Sequence, residues 1–169
     1  MNKYTVAVLV KNQFGVLNRV TSMFRRRQFN INALTVSETE SNDYSRITVM
    51  FFGEENKKQQ LINQLYKLPD VCSIKELDST NSVSSELLLI KMANEPTTRD
   101  DVLTAAKAFD AKTVDYSKAS MVFELTGDST RIDDFINLMR DYEILEICRT
   151  GIVSLEKGAS TISKSGGIM

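Results

Sequence analysis

Tyr4, Thr5, Val6, Ala7, Val8, Leu9, Val10, Lys11, Asn12, Gln13, Phe14, Gly15, Val16, Leu17, Asn18, Arg19, Val20 sets an alternating apolar run directly before a helical one. From Tyr4 to Val10, Tyr4, Val6, Val8 and Val10 fall on one side and small or apolar residues on the other, which predicts a well-buried strand. Lys11, Asn12 and Gln13 break the pattern. Val16, Leu17, Val20, Met23 and Phe24 then recur at helical spacing, with Asn18, Arg19, Ser22 and Arg26 opposite, as in an amphipathic helix.

Beyond this helix, Ile31 to Val36 and Ile47 to Phe52 read as strands joined by a polar turn at Glu40, Ser41, Asn42 and Asp43, hence a hairpin. Leu61, Ile62, Leu65 and Leu68 restore the helical period, Pro69 is expected to end that helix, and Val71 to Leu77 offers a last strand. The first half is βαββαβ. The order then repeats: Glu86 to Met92 as a strand, Val102, Leu103, Ala106 and Phe109 as a helix capped at Thr97 or Thr98, and Thr113 to Tyr116 with Ser120 to Leu125 as a hairpin. Ile132, Phe135, Ile136 and Met139 form a second helix, and Ile144 to Leu155 a long, interrupted strand. The fold class expected is α+β, two consecutive ferredoxin-like βαββαβ domains. Residues 1–78 form the first domain, the polar segment 79–85 a linker and 86–158 the second; the tail 159–169, rich in Ser and Gly, is expected to be disordered.

Composition narrows function by exclusion. The 169 residues include no histidine, which removes the commonest general base and metal ligand near neutral pH. Cys72 and Cys148 lack C-x-x-C spacing and read as reduced core thiols. Neither a signal-peptide pattern nor an apolar run of roughly 20 residues is present, so a cytoplasmic, non-membrane protein is expected. Adjacent carboxylates at Asp100 and Asp101, and at Asp133 and Asp134, lie near helix starts, where acids complement the dipole. No catalytic pair and no metal site emerge.

The first loop has more to offer. It leads from a strand end into a helix N-terminus, where unpaired backbone N–H groups and the dipole favour an anion such as a carboxylate. Gly15 permits close backbone approach and the Asn12 amide can donate and accept. Asn30 lies in the loop at the opposite end of the helix, about 20 Å away at about 1.5 Å per residue. If Asn30 meets the same ligand, a neighbouring subunit must bring it.

The segment Leu9 to Val20, followed by Phe29, Asn30, Ile31, Asn32, Ala33, Leu34, Thr35 and Val36, resembles the ACT domain that opens the small subunit of acetohydroxyacid synthase (acetolactate synthase). Leu65 to Leu68 before Asp70 and Val71 is similar to the close of that domain, Glu86 to Lys91 to the start of the family's second domain, and Arg140, Asp141 and Arg149 to Val153 to its ending. The resemblance spans residues 2–158. It implies a regulatory subunit without catalytic residues or cofactors of its own. It would pair as a homodimer through its ACT domains and serve a large catalytic subunit that carries thiamine diphosphate, Mg²⁺ and FAD. Stimulation of that subunit in valine, leucine and isoleucine biosynthesis, with feedback inhibition by a branched-chain amino acid, usually valine, is the implied role. The matching effector positions are Asn12, Gly15 and Asn30, with Val16, Leu17 and Ile31 as apolar lining. Gln28 departs from the family, which commonly has glycine there.

Two other readings share the fold. An acylphosphatase-like hydrolase would want an arginine in the first loop, where only Lys11 stands. An RNA-binding module would stack bases on strand aromatics, but Phe51 and Phe52 are adjacent and so face opposite ways, and the chain, with net charge −1, has no basic excess. Arg25, Arg26 and Arg27 suit a helix C-terminus in solvent or a partner contact. Arg149, Thr150 and Gly151 fit either a bulge in the last strand or a contact with the catalytic partner.

Overall fold

The computed structural model describes residues 2–165 and separates them into two compact units: residues up to Val83 with the segment from Ile152 onward, and Ser84–Gly151. The first unit runs β1 (Asn2–Lys11), α1 (Val16–Arg26), β2 (Ala33–Glu38), β3 (Tyr44–Gly53), α2 (Glu55–Leu65) and β4 (Val71–Glu76). Its sheet has the order β2-β3-β1-β4, every neighbour antiparallel. Val6, Val8 and Val10 of β1 pack with Ile47, Val49 and Phe51 of β3 beneath Val20, Phe24, Leu61 and Leu65 of the two helices. Each such side chain contributes roughly 1.5–3 kcal/mol when fully buried.

The other face of β1 is buried too: Thr5, Ala7 and Leu9 are all below a tenth exposed. The chain's last described segment supplies the cover. There β9 (Val153–Glu156) is followed by α5 (Ile162–Ser165), which packs on β4 and β1. Arg46 Nη2 donates to the Ser154 carbonyl at 2.6 Å, Lys75 pairs with Glu156, and Lys75 Nζ donates to Ser160 Oγ at 2.6 Å. Residues 152–158, read from sequence as the end of the second domain, thus pack with the first unit. The described part of the tail, through 165, is held against the same sheet, and 166–169 lie outside the described residues.

The second unit repeats the plan with β5 (Ser82–Ala93, whose first two residues fall in the first unit), α3 (Arg99–Ala108), β6 (Lys112–Tyr116), β7 (Ser120–Gly127), α4 (Ser129–Met139) and β8 (Ile144–Arg149), in the order β6-β7-β5-β8. Strand β5 begins at Ser82, inside the segment expected to be linker. Leu88, Ile90, Met121, Phe123, Ile132, Phe135 and Met139 are essentially inaccessible.

Two local devices recur at matching places. The central strand of each sheet shifts register against its last neighbour, between Leu9 and Val10 in one and between Lys91 and Met92 in the other. The first helix of each unit also ends the same way. Phe29 N–H donates to Phe24 O and Gln28 N–H to Arg25 O, with Gln28 at φ 56°; Ala111 N–H donates to Ala106 O and Asp110 N–H to Lys107 O, with Asp110 at φ 52°. These are Schellman closures, and both use a non-glycine residue in the left-handed region.

Some expectations need correction. Helix α2 stops at Leu65, four residues before Pro69, so the proline does not terminate it. Thr98 is the N-cap of α3 but sits in the right-handed helical region and makes no side-chain cap bond. Cys148 is exposed rather than in the core: opposite Leu89, it lies on the sheet face turned away from Ile90 and the helices. Phe51 is 2% and Phe52 46% exposed, on opposite faces as their adjacency requires.

Candidate functional site

Gly15 is the N-cap of α1 at φ 81°, a backbone that other residues adopt at a cost, and the first turn contains no acidic side chain. The helix start is therefore open to an anion. Asn12 precedes it and is pinned to the β2–β3 hairpin. Its N–H donates to Asp43 O at 2.8 Å, and its side-chain Nδ2 to Asn42 O at 3.0 Å and to Glu38 Oε1 at 3.3 Å. Within this chain the amide's donors are thus turned to the hairpin, and its Oδ1 accepts no hydrogen bond among the described residues.

Asn30 is exposed beyond the other end of α1. The eleven residues of the helix separate the two loops by about 16 Å, so one chain does not bring Asn30 to Asn12 and Gly15. Of the apolar candidates, Val16 is 3% exposed and belongs to the core, Leu17 is 43% exposed, and Ile31 packs partly buried against the core. Leu17 and Ile31 remain as surfaces that a ligand could touch.

Sequence reading missed Arg19, assigned to the solvent face. Its Nε donates to Asp70 Oδ2 at 2.7 Å, its Nη1 lies 3.4 Å from the position a Cβ on Gly15 would take, and Asp70 O accepts from Lys11 N–H at 2.9 Å. The pair braces both ends of the loop. A cation four residues after Gly15, on the helix face beneath the loop, was the available signal. Phe14, fully exposed at the loop tip, was also passed over.

Arg149 in the second unit is held by Glu86 through Nε at 2.6 Å and Nη2 at 3.0 Å, and by Asp133 through Nη1 at 2.8 Å. Those bonds hold its pKa above the ordinary arginine value, the Glu86 hydrogen bond most of all. With Gly151 at φ 76° between β8 and β9, the structure provides the chain break expected there. Arg25, Arg26 and Arg27 are exposed at the α1 C-terminus. Among the described residues no cluster of His, Cys, Asp and Glu could hold a metal ion.

Residues 85–158 match the family described as small subunit of acetolactate synthase, and residues 6–73 match the AHAS small subunit-like ACT domain. The chain is 41% identical over 155 residues to the acetolactate synthase small subunit of Mycolicibacterium smegmatis, across 92% of this chain and 91% of that one. The chain belongs to the acetolactate synthase small-subunit family. The small subunit of Bacillus subtilis is 38% identical over 164 residues, with 96% and 95% covered. The crystal structure of the Thermotoga maritima small subunit superposes with a TM-score of 0.86 at 32% identity, covering 95% of this chain and 100% of that one. The small-subunit family match ends at residue 158, so the family's second segment includes β9, which here packs with the ACT unit.

Proposed function

We propose that the chain is the regulatory subunit of acetolactate synthase, acting in the cytoplasm on a catalytic large subunit that supplies thiamine diphosphate, Mg²⁺ and FAD. It stimulates that subunit and makes it sensitive to a branched-chain amino acid, valine first. Two ACT domains pair, and the effector lies between Asn12 and Gly15 of one protomer and Asn30 of its partner. Leu17 and Ile31 face the aliphatic side chain, and Val16 supports them from the core.

The observation that carries this reading is the separation of Asn30 from the open α1 N-terminus by the length of a helix, since a second copy can supply what one chain keeps apart. Strand β2 supports the pairing: it is the outer strand of its sheet, and Val36 on it is 40% exposed. The carboxylate of the amino acid fits the helix start and Asn12 Oδ1 would take its ammonium. Binding that couples to the large subunit by about 1–3 kcal/mol would change affinity some 5- to 150-fold.

Calorimetry of the complete chain with valine, leucine and isoleucine, alongside activity of the reconstituted complex, is the test. Valine should bind the wild type and lose about tenfold or more in affinity with Asn12→Ala or Asn30→Ala. Mixed dimers of those two variants should retain one wild-type site. No binding of any of the three amino acids by the wild type would end this reading.

A further inference from the structure

A cavity of about 470 Å³ opens in the first unit on the sheet face turned away from α1 and α2. Its floor is one row across three strands: Arg46 of β3, Leu9 of β1 and Ser73 of β4 stand opposite one another in register. The β2–β3 hairpin walls it with Glu38 and Glu40, and the C-terminal segment with Leu155 and Ile162.

Two polar groups there lack what burial normally demands. Ser73 is 3% exposed, and its Oγ has no hydrogen-bond partner among the described residues. Arg46 is partly buried, and that burial pulls its pKa below the ordinary arginine value, with the field of Glu40 opposing. It donates to the Ser154 carbonyl, and among the described residues no carboxylate lies at ion-pair distance from it. Arg46 and Ser73, two strands apart, have backbones separated by about 10 Å. A small molecule can lie between them.

We propose that this cavity is a second ligand site that takes a small aliphatic α-amino acid, its carboxylate between Arg46 and Ser73, its ammonium toward Glu38 and Glu40, and its side chain on Leu9, Leu155 and Ile162. A plain carboxylate would meet the two glutamates unfavourably, and a plain amine would meet Arg46. A zwitterion satisfies both signs. Glu38 also accepts from Asn12, so the wall of the cavity and the first loop share one carboxylate. The site is distinct from the one proposed between protomers and does not rest on it.

The experiment titrates the ¹⁵N-labelled full chain with L-valine and with L-leucine while following the Ser73 amide and the Arg46 Nε–H. Isovalerate, which lacks the ammonium, and isobutylamine, which lacks the carboxylate, serve as controls. At least one amino acid should move both signals saturably in the wild type and in Asn30→Ala. Arg46→Met should weaken that binding by at least about tenfold. Ser73→Ala should weaken it several-fold without lowering the melting temperature, because it removes an unpaired buried hydroxyl; if Arg46→Met does not fold, this variant decides. Signals that stay still at millimolar amino acid would overturn the proposal, as would equal movement by isovalerate or wild-type binding by Ser73→Ala. Movement abolished by Asn30→Ala would trace the effect to the protomer interface, overturning the cavity site and leaving the interface reading intact.

Discussion

Arg19 Nε donates to Asp70 Oδ2 at 2.7 Å across 51 residues of sequence, joining the first turn of α1 to the segment that enters β4. The Asp70 side chain is 12% exposed and that of Arg19 46%, so the carboxylate loses more than the guanidinium when the pair is broken. Arg19→Met is expected to lower the unfolding free energy by about 1–2 kcal/mol, between the values for exposed and buried pairs. Urea denaturation measures it. An unchanged midpoint would mean that water already carries the charge of Asp70.

Gln28 closes the C-terminus of α1 at φ 56° and Asp110 closes that of α3 at φ 52°. Glycine relieves the Cβ strain of this backbone, so Gln28→Gly should raise stability by about 1 kcal/mol. Asp110→Gly should gain less, since aspartate tolerates the left-handed region better. Thermal melts of both variants compare the two closures directly, and a loss at either position would show that the native side chain contributes more than its strain costs.

Glu86 is 4% exposed and its carboxylate is held by the Arg149 fork. Arg149→Met leaves that carboxylate buried without its cation and should cost about 3 kcal/mol. Adding Glu86→Leu should recover part of the loss, because the charge that needed the partner is then gone. A double-mutant cycle reads the coupling, and additive losses would argue against the pair as a unit.

Glu156 anchors the C-terminal segment through Lys75. The Lys75 hydrogen bond first, and that of Ser160 second, hold its carboxyl below the usual 4.5. A lowered folded pKa gives stability that is complete above 4.5 and is lost as pH falls through the folded value. Amide exchange in residues 153–161 should therefore quicken at low pH before exchange in β1 does. Glu156→Gln should show the quicker exchange already at neutral pH. Matching pH profiles in the variant and the wild type would assign the anchoring to packing alone.

Local patterns account for what was legible. The alternation from Tyr4 to Val10 and the stripe of Val16, Val20, Met23 and Phe24 each report burial within one element, and that burial is what they have in the structure. The same holds for Ile132, Phe135, Ile136 and Met139 of α4. Gln28 stood out only through the family resemblance, which commonly has glycine there, and the structure gives it the left-handed backbone, φ 56°, that glycine suits. Periodicity overreached at Leu17, included in the apolar stripe yet 43% exposed, and at Pro69, which follows a helix already ended.

The sequence carried the order of elements through β8, the repeat of that order and the family resemblance, because strand and helix periods and family motifs are written in consecutive residues. That Arg19 braces the loop against Asp70 follows from the folded contacts and not from the sequence. The tertiary structure alone returned β9 and α5 to cover the far face of the first sheet, and it left the Ser73 hydroxyl buried beside Leu9 without a partner among the described residues. Each of these depends on partners distant in the chain, and a side chain's own neighbours in sequence carry no record of which distant surface will come to exclude water from it.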